Sequence, residues 1–173
     1  MKNLKLAAII VVLLLSCTLG YYIIYAATAI SIDENKSYPV TYVLDGDTFK
    51  VKINSHIVTV RMLGIDTPET VDPRKPEQCY GKVASDKTKE LLLGHNVHLE
   101  LNPNREEKDK YGRYLAYVYL EDESKVFINE YLLQNGYARE YTYGKPYMLQ
   151  KEFKMIEGMA KYNKVGLWGS CAQ

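Results

Sequence analysis

Residues 43–51 read VLDGDTFKV, and the fold turns on how Asp47 is read. Side chains on a strand alternate between two faces. Thr48, Lys50 and Lys52 make one polar face, while Phe49, Val51 and Ile53 make one apolar face. Asp47 falls in step with the apolar set. A buried carboxylate is costly unless a cation or several donors meet it. Two readings stay open from this stretch: Asp45-Gly46 is a turn with Asp47 at its wet end, or Asp47 faces inward toward a positive charge.

The flanking segments supply the rest of the fold. Residues 39–44, 47–54 and 56–65 read as strands, with Asn54-Ser55 as the hairpin turn between the last two. Residues 67–79 hold three prolines and no periodicity, which marks a loop. Residues 80–93 (YGKVASDKTKELLL) place Val83 and Leu91 at helical spacing, and Gly94 stops them. A strand over 96–101, a charged loop over 102–110 and a tyrosine-rich strand over 111–120 follow. Helices are expected over 126–135 and 147–163, with Gly166-Leu167-Trp168 packing back onto the body. Five short strands with a helix after the third suit an α+β architecture, a five-stranded OB-fold barrel with three helices. Other α+β folds share the pattern.

An N-terminal hydrophobic leader precedes this domain. Residues 6–30 carry no charge and follow Lys2 and Lys5, the pattern of an export signal. Three fates are open. Cleavage at Ala27-Thr28-Ala29 would release a secreted chain beginning at Ile30. Retention would leave a membrane attachment through residues 6–30. Leu14-Leu15-Ser16-Cys17 loosely resembles a lipoprotein site, with Cys17 carrying the lipid. The expected organisation is a signal peptide or anchor over 1–29, a linker over 30–38 and a folded domain over 39–170. All three fates put that domain outside the cytoplasm. Without Lys2 and Lys5 the Lys+Arg count of 22 becomes 20, against 21 Asp+Glu, a net charge near −1. Bulk charge does not attract such a domain to nucleic acid, so phosphate binding requires local placement.

Beyond the leader, Cys79 and Cys171 are the remaining cysteines. In an oxidising compartment they can pair, closing a loop of about 90 residues worth roughly 4–5 kcal/mol. The alternative is two free thiols. His56, His95 and His98 are scattered, so zinc is not indicated.

Several charged residues do not fit a plain core. Residues 57–66 (IVTVRMLGID) read as a strand buried on both faces with Arg61 in its middle. Such an arginine requires an anion, a protein carboxylate or a bound phosphate. Asp66 ends the strand, and Thr67-Pro68-Glu69 turns the chain. Asp47, Asp66 and Glu69 can converge there, and crowded carboxylates repel unless a cation or proton intervenes. Oxygen ligands suit a hard ion, Ca²⁺ or Mg²⁺. In DKYGR, Lys110, Tyr111 and Arg113 make a phosphate and base platform. Tyr141 and Tyr143 are candidate stacking residues, although the chain holds 16 tyrosines and core packing serves as well.

Three motifs stand in order: DGDT at 45–48, R-x4-DTPET at 61–70 and DKYGR at 109–113. With the helix containing YGKVAS and the closing GLW, the chain from about 39 to 168 resembles the staphylococcal nuclease, or thermonuclease, family. The resemblance implies an OB barrel and a Ca²⁺-dependent phosphodiesterase cutting DNA and RNA to leave 3′-phosphate ends. It implies Asp47 and Asp66 as carboxylate ligands of Ca²⁺, with Thr67 offering its carbonyl. Glu69 would be the general base or orient the attacking water. Arg61 and Arg113 would clamp the scissile phosphate. Lys110 and Tyr111 would contact a terminal phosphate, and Tyr141 and Tyr143 would lie near the base. The protein is expected to act as a monomer. Gly64, the loop 71–79 and the acidic turn 121–123 depart from the family pattern without touching these positions. A non-catalytic OB-fold binding module and a membrane-anchored nuclease for DNA uptake are the competing functions. The binding module predicts losses among Asp47, Arg61, Asp66, Glu69 and Arg113, and all five are present.

Overall fold

The computed structural model describes residues 10–21, 30–70 and 77–171. The chain divides into two compact units, Met1–Ser31 and Ile32–Gln173. In the first, residues 10–21 are helical, with Leu13, Leu14 and Leu15 exposed. No helix of the described residues is long and apolar enough to cross a membrane. The expected cleavage site at Ala27-Thr28-Ala29 lies outside the described residues.

The second unit runs β1 (Ser37–Val43), β2 (Thr48–Ile53), β3 (His56–Met62), β4 (Ile65–Asp66), α1 (Gly81–Leu92), β5 (Asn96–Leu101), β6 (Tyr114–Leu120), α2 (Ile128–Gln134), β7 (Arg139–Glu140), α3 (Gln150–Tyr162) and α4 (Leu167–Ser170). Five strands close into a barrel in the order β1-β2-β3-β6-β5, with β1 and β5 pairing to seal it. The contact of β3 with β6 is parallel, Arg61 facing Leu115. This is the expected α+β OB-type barrel with its three principal helices, and α4 adds one turn at the GLW segment.

The alternation in β2 works as the sequence implies. Phe49, Val51 and Ile53 are buried in the barrel, while Lys52 is exposed. Thr48 departs from its polar-face assignment and is buried, because it pairs with Arg61 where β2 enters the barrel. The hairpin closes with Ile53 opposite His56, as Asn54-Ser55 requires. Helices cover the rest of the core. Tyr117 meets Phe153 of α3 edge-on at 6.2 Å, an arrangement aromatic rings favour. Buried Asn129 of α2 accepts from the Val118 N–H at 2.9 Å and donates to the Leu63 carbonyl at 2.8 Å, tying that helix to the strands.

One strand departs from expectation. The segment 56–65 is neither continuous nor buried on both faces: Ile57 is 54% exposed, and the ladder stops at Met62. Gly64 breaks it with φ +79°, and a Cβ there would sit 2.7 Å from the Tyr147 ring. Glycine is required on both counts. The chain re-forms as two-residue β4, whose partner β7 was absent from the sequence reading. That break turns Asp66 and Thr67 back toward the start of β2.

Candidate active site

The DGD turn is fixed from two directions. Thr88 of α1 donates its hydroxyl to the Gly46 carbonyl at 2.7 Å, and the Met62 N–H of β3 donates to the Asp47 carbonyl at 2.9 Å. Asp47 is therefore held inside, 4% exposed. Its Oδ2 lies 2.6 Å from Arg61 Nη1 and accepts the Thr67 N–H at 2.8 Å. Its Oδ1 accepts the Thr48 hydroxyl at 2.9 Å. These partners offset the cost of burying the carboxylate. Between the two readings of the opening stretch, the geometry chooses the inward one.

Arg61 is the hub. Its Nη2 donates to Asp66 Oδ1 at 2.7 Å, and Nη1 also donates to the Ile65 carbonyl at 2.9 Å. One guanidinium thus faces two carboxylates, and a third stands beside them. Burial and the Asp47 charge push the Asp45 carboxyl up to about 7. Burial, then Asp47, also push Asp66 above the ordinary carboxylate value, against the pull of Arg61. Negative charge in the cluster exceeds what one arginine neutralises, which is the chemistry of a cation site. Among the described residues no three His, Cys, Asp or Glu side chains are arranged to chelate a metal by themselves. Asp47 and Asp66, which converge on Arg61, carry oxygen donors of the kind a hard ion takes.

The rest of the expected residues line the same cavity of about 400 Å³. Glu69 stands on the turn after β4, half-buried, with Oε1 accepting the Thr70 N–H at 2.9 Å. Arg113 enters from the opposite loop. Asp109 orients it, accepting its Nε at 2.7 Å and its backbone N–H at 3.0 Å. Burial would raise the Asp109 carboxyl, but the Arg113 N–H, the Arg113 side chain and the Tyr111 N–H outweigh it and hold the carboxyl below its ordinary value. Lys110 stacks its ammonium 5.0 Å from the Tyr111 ring centroid. Tyr141 and Tyr143 stack with centroids 6.5 Å apart, both exposed and both at the cavity wall.

Three contributors escaped the sequence reading. Asp45 was absorbed into a turn, although two aspartates flanking one glycine was the available signal. Asp109 stands in the DKYGR motif, which by itself gives it no task. Arg105, inside a charged loop, donates to the Tyr143 and Lys145 carbonyls at 2.6 and 2.7 Å and binds the Tyr143 loop to the loop before β6. Its only signal was one arginine among several charges.

The protein-family model described as "Staphylococcal nuclease homologue" matches residues 59–170. The Thermonuclease of Staphylococcus hyicus is 39% identical over 146 residues, covering 84% of this chain and 83% of that protein. The chain belongs to the staphylococcal nuclease family. The Thermonuclease of Staphylococcus intermedius is 41% identical over 133 residues, covering 77% of this chain and 76% of that protein. The Endonuclease YncB of Bacillus subtilis (strain 168) is 40% identical over 146 residues, covering 83% of this chain and 67% of its own length. In this family member, the Cys79 and Cys171 sulfurs are joined in a disulfide that spans 92 residues of sequence.

Proposed function

We propose that the chain is an exported, Ca²⁺-dependent phosphodiesterase that hydrolyses DNA and RNA and leaves 3′-phosphate ends. The observation that carries this reading is the meeting of Asp47, Asp66, Thr67, Glu69 and two arginines from separate segments in one cavity. Nuclease relatives of similar length support it.

The roles follow from charge. A phosphodiester is anionic already, and attack by water adds charge at the equatorial oxygens. The forks of Arg61 and Arg113 match that distribution. Asp109 holds one fork in place, and Asp47 with Asp66 holds the other. Asp47, Asp66 and the Thr67 carbonyl would hold Ca²⁺, which when bound polarises a phosphoryl oxygen and helps supply the nucleophile. Glu69 accepts or directs the proton of the attacking water. Lys110 and Tyr111 take a terminal phosphate, and Tyr141 and Tyr143 present aromatic faces to a base. Export follows from the leader, released near Ile30 or retained as an anchor, and the disulfide suits an oxidising compartment.

The test is an end-group analysis. Labelled DNA and RNA are cut by the full chain with Ca²⁺, and the ends are probed with a 3′-phosphatase. Products extendable by a polymerase only after phosphatase treatment are expected. Ends extendable without treatment would refute the stated cleavage position.

A further inference from the structure

Among the described residues, Gln78 grips the turn that carries Glu69. The Glu69 N–H donates to Gln78 Oε1 at 3.1 Å. The Gln78 N–H donates back to the Glu69 carbonyl at 3.0 Å. Gln78 therefore engages both backbone polar groups of Glu69. The start of α1 presses on the same turn: a Cβ at Gly81 would lie 3.1 Å from the carbonyl oxygens of Pro68 and Glu69.

Gln78 is itself exposed, so this grip is only as firm as the segment bearing it. That segment is a tight turn. The Gly81 N–H donates to the Gln78 carbonyl at 2.9 Å, and Tyr80 inside the turn is left-handed at φ 71° and ψ 0°. L-residues keep that conformation only where surrounding contacts enforce it. Here Tyr80 packs on the Tyr137 ring with centroids 5.9 Å apart, and Cys79, between Gln78 and Tyr80, is bonded to Cys171. The Cys171 N–H donates to the Leu167 carbonyl at 3.1 Å, and Leu167 is buried at 1% exposure with its own N–H on the Gly136 carbonyl at 2.9 Å. A continuous chain of contacts runs from the core through Leu167, Cys171, Cys79 and Gln78 to Glu69.

We infer that Gln78 is a positioning residue for Glu69 and that the Cys79–Cys171 disulfide holds it within reach. The inference rests on the reading of Glu69 as the group that manages the water's proton. A misplacement of about 1 Å in such a group costs on the order of 10²-fold in rate. Lys110, Tyr111 and Arg113 stand on a different loop, so loss of the grip lowers kcat and leaves KM alone.

The test uses the full chain, DNA and saturating Ca²⁺, with kcat taken per folded molecule from each variant's unfolding curve. Gln78→Met keeps the length and removes the acceptor, and it is expected to lower kcat about 10-fold with KM within about two-fold. Gln78→Glu keeps an acceptor oxygen and restores most of the rate. The Cys79→Ser/Cys171→Ser pair lowers kcat in the same way. In a Glu69→Gln background, Gln78→Met has no further effect, since the two act as one unit. Wild-type kcat in Gln78→Met, beside a Glu69→Gln variant slowed by orders of magnitude, overturns the positioning role alone. Wild-type kcat in the cysteine pair overturns the role of the disulfide. Wild-type kcat in Glu69→Gln overturns the reading of Glu69 and the proposal with it.

Discussion

The acidic cluster and the aromatic arm of the cavity are built from opposite materials. Asp47 is buried, both its oxygens are engaged, and its neighbours come from β2, β3 and the turn after β4. Tyr111, Tyr141 and Tyr143 are exposed, ride on loops, and are steadied by Lys110 and Arg105. Rigid strands position groups whose geometry sets a reaction rate, and loops carry groups that meet a variable substrate. The cluster should therefore govern kcat and stability together, and the arm should govern KM alone.

The largest effect is expected at the hub. Arg61→Ala strands Asp47 inside the protein, where an unpaired charge costs about 3–5 kcal/mol. Activity should fall by about 10³-fold or more, since an electrostatic clamp is lost as well. Urea unfolding beside DNA hydrolysis measures both, and unchanged stability would dissolve the contrast between cluster and arm. Arg113→Ala sharpens it. The Arg113 side chain is 31% exposed against 13% for Arg61, so kcat should drop about 10²–10³-fold while stability shifts by less than about 1 kcal/mol.

The arm should answer differently. Tyr141→Ala and Tyr143→Ala each remove a stacking face worth about 1–3 kcal/mol per base, so KM should rise between about five- and a hundred-fold. The value of kcat should stay within about two-fold, which steady-state kinetics on single-stranded DNA resolves. A fall in kcat without a rise in KM would move these tyrosines into the catalytic group.

How much of this contrast was legible follows from where each residue stands. Asp47 and Arg61 were readable because a charge in step with apolar neighbours violates strand periodicity. Asp45 was not, because a residue before glycine satisfies a turn equally well, and only folding brings the burial and the Asp47 charge that raise its carboxyl to about 7. The break at Gly64 and the two-residue pairing of Asp66 with Arg139 were invisible, since two residues carry no period. Arg105 and Gln78 act on backbone groups of distant segments, and side-chain patterns record nothing of such bonds. In the aromatic arm Tyr111 was legible through the DKYGR motif, while Tyr141 and Tyr143 stood among 16 tyrosines that core packing explains as well.

The smallest expected effect tests the orienter of Arg113. Asp109 is held below its ordinary value in the folded protein, so its contribution to stability is full above the unfolded carboxylate value near 4 and is lost as pH falls through the folded one. The stability gap between wild type and Asp109→Asn should be constant at neutral pH and close in acid below about pH 4. Urea melts across that window would expose an opposite trend, which would mean that Arg113 does not depend on the charge of Asp109.

On the proposed function, the excess negative charge around Asp47 holds a cation that the reaction needs. The direct measurement is DNA hydrolysis by the full chain from EGTA through increasing Ca²⁺, beside Asp47→Asn. Cutting that is absent in EGTA, saturates with Ca²⁺ and is lost in Asp47→Asn is the predicted result. Equal cutting in EGTA and in Ca²⁺ would contradict it.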